Sequence, residues 1–214
     1  MQNTASPISR TKSNVESVRP LRFIVVGAGV SGVMAAIKLR AAGYDDIVVY
    51  EKADGAGGTW RKNTYPGVAC DIPSHFYSYS FALTPNWSKR YAGGEEIQRY
   101  IEDTMRRFDV ERLIRFNTEI THCEWRDGRW QVGLSDGASD VADVVIAATG
   151  VLDQPVLPEI PGRDSFAGAA FHTARWNHDV ALEGKRVGVI GTGSSAIQVV
   201  SALASQVGRL TLFQ

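Results

Sequence analysis

The segment that most constrains the fold is a glycine-rich hexapeptide, residues 27–32 (GAGVSG), which lies between two apolar runs. Residues 22–26 (RFIVV) are short and rich in β-branched side chains, which predicts a buried strand. Residues 31–42 favour a helix, and Gly43 just after them is typical of a glycine C-cap. Residues 47–50 (IVVY) predict a second buried strand. The sequence therefore indicates a βαβ unit and an α/β fold.

The three glycines of this turn, Gly27, Gly29 and Gly32, have the G-x-G-x-x-G spacing. In such a turn the first glycine permits the bend, the second lets the backbone approach a pyrophosphate, and the third lets the helix pack on the strand. The N-terminus of the helix offers unpaired amides and a positive dipole end to the phosphates. Glu51 follows the second strand, where a carboxylate can accept hydrogen bonds from ribose hydroxyls. These features predict a dinucleotide site, and the alternative is a structural turn with an incidental acid.

A second glycine turn lies near the other end of the sequence. It has the G-x-G-x-x-A form and contains Gly191, Thr192, Gly193, Ser194, Ser195 and Ala196. A strand is predicted before it at 186–190, a helix after it at 196–207, and a further strand at 210–213, so that a second βαβ unit begins without room to finish. The residue that would distinguish NAD from NADP is expected beyond Gln214. Two dinucleotide turns in one chain predict two cofactors with electron transfer between them.

The middle of the chain predicts a long loop and a small antiparallel β-meander. Residues 52–93 are dense in Gly, Pro, Asn and Ser but also in aromatic side chains, which favours an ordered, functional loop. Residues 94–108 have the apolar spacing of an amphipathic helix. Asp127-Gly128 marks a hairpin turn. Strands are predicted at residues 113–116, 119–125, 130–134 and 141–147.

Composition excludes several classes of function. Lys plus Arg and Asp plus Glu balance at 23 each, so there is no electrostatic reason to expect nucleic acid or an anionic membrane as a partner. No apolar run is long enough for a membrane span. Cys70 and Cys123 form no metal-binding or redox-pair motif, and a reducing, cytoplasmic compartment is expected. Residues 1–20 are polar, lack the apolar stretch of a secretory signal, and are predicted to be disordered.

Five motifs of the sequence belong together. They are the first glycine turn with Glu51, residues 57–60 (GGTW), residues 65–71 (YPGVACD), residues 77–81 (YSYSF), and the set Phe166, Gly168, His172 and Trp176 ahead of the second glycine turn. With these motifs the sequence resembles the class B flavoprotein monooxygenases, closest to the Baeyer–Villiger type, over residues 21–214, and the last set is the fingerprint of that family. Trp176 favours the Baeyer–Villiger enzymes over the N/S-oxidising flavin monooxygenases, which usually carry Tyr or Phe there, and Asn177 departs from the usual Pro or Asp.

The resemblance implies FAD and NADP as cofactors. The residues that it implies for the FAD pyrophosphate are Gly27, Gly29, Ser31 and Gly32, with Glu51 at the ribose, Gly58, Thr59 and Trp60 on the flavin side, and Tyr77 in contact with FAD. It implies that the second glycine turn holds NADP.

Two further residues gain an expected role from the same resemblance. Asp71 would lie beside the flavin and position an arginine from a later part of the chain. On the residues alone, a loop aspartate that bonds local backbone is an equal alternative. His172 is expected to have a positioning or conformational role, and not to transfer protons. Asp71 is therefore the one catalytic candidate.

The implied function is an FAD-dependent, NADPH-using monooxygenase that inserts one atom of O2 next to the carbonyl of a small-molecule ketone or other lipophilic substrate. The alternatives are an N/S-oxidising monooxygenase and a non-catalytic dinucleotide-binding module that needs a second chain. The chain is expected to be an N-terminal fragment that is inactive alone. The expected organisation is a disordered segment at 1–20, an incomplete FAD-binding domain at 21–150, a linker at 151–183 and the start of an NADP-binding domain at 184–214.

Overall fold

The computed structural model describes residues 19–214, so the segment predicted to be disordered lies outside the described residues except for Arg19 and Pro20. The helices are α1 (Val30–Ala41), α2 (Thr59–Lys62), α3 (Gly94–Arg107) and α4 (Ser194–Leu203). The strands are β1 (Phe23–Val26), β2 (Ile47–Tyr50), β3 (Ile114–Arg115), β4 (Ile120–Arg126), β5 (Arg129–Leu134), β6 (Ser139–Ala142), β7 (Val144–Ala147), β8 (Arg186–Ile190) and β9 (Arg209–Phe213). The predicted α/β class with its small antiparallel meander is confirmed.

The central sheet is parallel, with the strand order β3-β2-β1-β7. Val25 and Val49 are fully buried on one face, in the cluster that α1 and α3 complete. Ile24, Val48 and Tyr50 pack on the other face against the antiparallel sheet β4-β5-β6. Both faces of the parallel sheet are covered, which explains why its strands are continuous apolar runs.

The first two long helices form for local reasons that the sequence carries. In α1, Gly32, Val33, Ala36 and Ile37 are buried, while Lys38 and Arg40 in the last turn suit the negative end of the helix dipole. In α3 the spacing of four residues places Ile97, Ile101 and Met105 on one buried stripe. Both helices are thereby fixed against the sheet, and α1 presents its N-terminus at the carboxyl end of β1.

The predicted single strand at 141–147 is wrong, because the segment contains two strands in different sheets. β6 pairs with β5, β7 pairs with β1, and the break falls at Asp143. The Asp143 carboxylate accepts hydrogen bonds from the Arg22 amide and the Arg19 guanidinium, which hold the pKa of that carboxyl below its usual range. A change of sheet leaves no trace in a run of apolar residues, so that sequence periodicity could not reveal it.

The second βαβ unit is more complete than predicted. β8 and β9 pair in parallel through five residue pairs, from Arg186↔Arg209 to Ile190↔Phe213, with α4 between them. The expectation that the unit had no room to finish is therefore wrong, because five residues suffice for its second strand. The helix also begins and ends earlier than predicted. None of the helices between residues 19 and 214 combines the length and apolarity that crossing a bilayer requires.

Candidate functional site

Close packing requires the first and third glycines of the first turn. Gly27 has a φ of +98°, and its amide donates to the carbonyl of Tyr50 at 2.8 Å. A Cβ on Gly27 would lie 2.8 Å from the oxygen of Ala148, and a Cβ on Gly32 only 1.8 Å from the oxygen of Gly27. These two glycines therefore allow α1 to begin directly on the end of β1, as the glycine spacing predicted.

Packing within the chain does not require the second glycine, Gly29, to lack a side chain. Gly29 is the N-cap of α1 with extended backbone, and a Cβ there would meet only Gly58 Cα at 3.6 Å, an ordinary contact. No side chain of the described residues caps this helix, and its first turn, which contains Ser31, holds no acid. The first amides of a helix have no partner within the helix. The structure thus leaves uncapped amide donors at the point where the sequence predicts a pyrophosphate.

The carboxylate of Glu51 lies at this turn, where the sequence predicted it. Its two oxygens accept hydrogen bonds from the amides of Ala28, at 2.7 Å, and Ala53, at 2.8 Å. The side chain is buried at 6% exposure. A carboxylate has about four acceptor positions, so these two bonds leave capacity for a ligand hydroxyl. Glu51 therefore also fixes the glycine turn, which the sequence did not reveal.

We expect Glu51→Gln to lower the free energy of unfolding by about 1–3 kcal/mol, because the carboxamide would turn a donor toward one of the two amides. Chemical denaturation measures this loss, with the exposed Glu183→Gln as the control for removing one negative charge. Equal stability of the two variants would show that the carboxylate does not hold the turn.

The predicted flavin-side residues form a second wall beside the first turn. Gly58 has a φ of +56°, and a Cβ on it would lie 3.0 Å from Gly29 Cα, so that the two backbones nearly touch. Thr59 begins α2. The Trp60 indole donates from Nε1 to the Tyr77 hydroxyl at 3.0 Å, and burial raises the pKa of Tyr77. The structure therefore brings Gly58, Trp60 and Tyr77 together next to the first glycine turn.

Sequence reasoning missed Gln98 of α3. Its Nε2 donates to the carbonyl of Ala56 at 2.6 Å and to Glu102 at 2.8 Å. A Cβ on Gly57 would lie 1.8 Å from Gln98 Oε1, so the glycine leaves room for this side chain. Gln98 thus holds the loop that precedes Gly58. In the sequence, Gln98 is one polar residue beside a buried helical stripe, and nothing distinguishes it from the other polar residues of α3.

The second glycine turn repeats the geometry of the first. Gly191 has a φ of +108°, and its amide donates to the carbonyl of Phe213 at 2.9 Å. A Cβ on Gly191 or Gly193 would meet nothing within 4 Å. Gly193 is an extended N-cap with no side-chain cap from the described residues, and the first turn of α4 has no acid. The predicted Thr192 lies in the turn, and Ser194, Ser195 and Ala196 form the first helical turn.

Asp71 contacts the second glycine turn from the loop 65–71. Its carboxylate accepts a hydrogen bond from Ser194 Oγ at 3.0 Å, across 123 residues of sequence. The side chain is exposed, and its partner comes from the second βαβ unit. The partner that the structure gives to Asp71 is therefore distant in sequence and is not local backbone, since loop 65–71 packs on α4 in a contact that sequence alone does not show.

The fingerprint residues lie in the segment between the two units. His172 Nδ1 accepts a hydrogen bond from the Ala174 amide at 3.0 Å. Trp176 contacts Phe171 edge to face at 5.1 Å and packs on the cluster formed with α4. Phe166 is exposed, and a Cβ on Gly168 would lie 2.6 Å from its ring. The contacts described for His172 and Trp176 thus lie within the linker and on the cluster that includes α4.

The two cysteines lie apart in the fold. Cys70 is buried in the loop before Asp71, while Cys123 is exposed on β4, and both are free. Burial raises the pKa of both thiols, so neither is activated as a nucleophile. Within residues 19–214 there is no group of His, Cys, Asp and Glu that could hold a metal ion.

Two strand–glycine turn–helix units with open N-termini define the class: a Rossmann-type protein with two dinucleotide sites. The chain belongs to the pyridine nucleotide-disulphide oxidoreductase family, whose profile matches residues 24–214. A Baeyer–Villiger monooxygenase of Streptomyces coelicolor is 47% identical over 196 residues, which cover 91% of this chain and 38% of that protein.

Solved structures agree with this relationship. A cyclohexanone monooxygenase bound to epsilon-caprolactone matches with a TM-score of 0.85 and 40% identity, over 91% of this chain and 39% of that one. The OTEMO complex with FAD and NADP matches with a TM-score of 0.83 and 36% identity, over 91% and 39%. The resemblance to Baeyer–Villiger monooxygenases is confirmed, and the chain spans less than two fifths of the length of these relatives.

Proposed function

We propose that this chain binds FAD at its first glycine turn and NADP(H) at its second, as part of a Baeyer–Villiger monooxygenase. The observation that carries the proposal is that α1 and α4 each begin directly after a strand and a glycine turn, with no acid in the first turn and no side-chain cap from the described residues. The substrates would be O2 and a small-molecule ketone or other lipophilic compound. Because the chain spans less than two fifths of its relatives, the complete reaction would need further protein.

The first site fits the diphosphate of FAD. The amides at the start of α1 would bind the diphosphate, since they are open donors at the positive end of a helix dipole. Glu51 would accept the ribose hydroxyls while it holds the turn. Gly58, Trp60 and Tyr77 would cover the cofactor and exclude water. FAD bound there would supply hydride acceptance and the activation of O2.

The second site fits NADP(H) by the same reasoning. Gly191 and Gly193 leave open space in front of α4, and the hydroxyls of Ser194 and Ser195 lie at its first turn. The loop 65–71 would keep the two nucleotides close enough for hydride transfer, because it follows the wall of the first site in the chain and packs on α4. The proposal of NADP(H) rather than NAD(H) at this site rests on the NADP in the related structure.

An absorption spectrum of the purified protein tests the first part of the proposal. The expected result is flavin absorption in the visible region, and release of FAD when the protein is denatured. A protein that stays colourless after incubation with FAD would contradict it and would favour a scaffold without flavin. An assay of the full-length form with NADPH and a panel of ketones, amines and sulfides separates the two candidate reactions. Oxidation of ketones indicates the Baeyer–Villiger reaction, and oxidation of amines or sulfides indicates N/S oxidation.

His172→Ala is expected to retain bound FAD while coupled turnover in the full-length form falls, because His172 bonds the linker and not the first glycine turn. The ratio of FAD to protein is the first measurement, and the product formed per NADPH is the second. Loss of all FAD from this variant would refute a positioning role in the linker. Glu159→Gln, a change at an exposed position of the same linker, is the control.

A further inference from the structure

The Asp71 carboxylate lies beside the helix end to which the proposed function assigns a phosphate. Asp71 Oδ2 bonds Ser194 Oγ, and Ser194 is the first residue of α4. The first turn of α4 has no acidic residue of its own, and no described side chain caps this helix at its N-cap residue, Gly193. Asp71 therefore places a negative charge at the positive end of the α4 dipole, where an incoming pyrophosphate would meet it.

The loop that carries Asp71 is fixed against α4. Gln198 Oε1 accepts from the Tyr65 hydroxyl at 2.8 Å, and Gln198 Nε2 donates to the carbonyl of Ala69 at 2.9 Å. A Cβ on Gly67 would lie 2.7 Å from the Gln198 carbonyl oxygen, so this glycine permits the close approach. Tyr65 also packs into the buried cluster with Val199 of the same helix. Asp71 is thus held at the helix end by its whole loop.

We propose that Asp71 is an affinity-determining residue of the second nucleotide site, and that it and the NADP pyrophosphate compete for the Ser194 hydroxyl. The inference rests on the proposed function. Like charges at the same helix end repel, which weakens cofactor binding. When the cofactor binds, Ser194 donates to a phosphate oxygen, and the Asp71 carboxylate loses its partner. Filling the second site therefore frees a carboxylate on the loop that leads back to the first site.

Isothermal titration of the purified protein with NADP+ tests the inference. Asp71→Asn is expected to bind NADP+ about fivefold more tightly than the wild type at low salt, with the gain shrinking as salt screens the repulsion. Ser194→Ala is expected to weaken binding more in the Asp71→Asn background than in the wild type, because only there is the hydroxyl uncontested. Asp71→Ser also lacks the charge and serves as a second variant if Asp71→Asn folds poorly.

The control is Asp127→Asn, which removes one negative charge at the distant β4–β5 hairpin. Asp127 has a φ of +53°, where asparagine is equally suited, so the fold is kept. This control is expected to bind NADP+ like the wild type. Equal affinities of wild type and the Asp71 variants, or a gain that does not depend on salt, would overturn the inference alone. Absence of NADP+ binding in every variant and in the wild type would overturn the proposed second site as well.

Discussion

Gly29→Ala is expected to weaken FAD binding by about 100-fold while the fold stays intact. A Cβ on Gly29 makes an ordinary 3.6 Å contact with Gly58 Cα, so the polypeptide itself accepts the methyl group. The methyl group would fill the narrow gap between Gly29 and Gly58, beside the α1 amides to which the proposal assigns the diphosphate. The loss of two charge-assisted hydrogen bonds corresponds to about 3 kcal/mol. The ratio of flavin absorbance to protein, with circular dichroism for the fold, measures both parts.

Gly93→Ala is the matched control for this substitution. Gly93 is also an extended N-cap glycine, at the start of α3, and a Cβ there would meet only the Val68 oxygen at 3.9 Å. Both variants lose the same N-cap preference, about 1 kcal/mol of stability. Only Gly29→Ala should lose flavin. If both variants retain FAD equally, the second glycine does not face the diphosphate.

Gly32→Ala is expected to lower the free energy of unfolding by more than about 4 kcal/mol, a large part of the roughly 5–15 kcal/mol that stabilises a typical domain. The reason is steric, since the new Cβ would lie 1.8 Å from the Gly27 oxygen and neither backbone can move without separating α1 from β1. Soluble yield and thermal unfolding are the measurements.

The control for this second substitution is Gly43→Asn, which changes a glycine with a φ of +87° but with nothing within 4 Å of its Cβ position. Asparagine tolerates that conformation, so a loss of only about 1 kcal/mol is expected. A Gly32→Ala protein as stable as Gly43→Asn would show that the close packing of α1 on the turn is absent.

Much of the first site was predictable because it is local in sequence. The glycine turn, its strand and its helix lie within about 20 consecutive residues, and the physical demands on Gly27 and Gly32 arise inside that segment. The position of Glu51 followed from the end of the second strand. Its bonds to the Ala28 and Ala53 amides did not, because hydrogen-bond partners depend on how the turn closes in three dimensions.

The features that escaped prediction are contacts between distant segments. Two hydrogen bonds join residues more than 120 positions apart. One links Ser194 to Asp71, and the other links Gln198 to the carbonyl of Ala69. The division of residues 141–147 between two sheets involves backbone bonds from Asp143 and Val144 to Arg22, which is adjacent in the fold but about 120 residues away in sequence. Neither periodicity nor composition encodes such pairings, since they result from the packing of complete elements.

The central claim is that the amides at the start of α1 bind the FAD diphosphate. A crystal structure of the protein with FAD tests it most directly. The account predicts phosphate oxygens within about 3.2 Å of the amides of residues 30–32, with a ribose hydroxyl on Glu51. A diphosphate bound elsewhere, with those amides facing solvent, would contradict it.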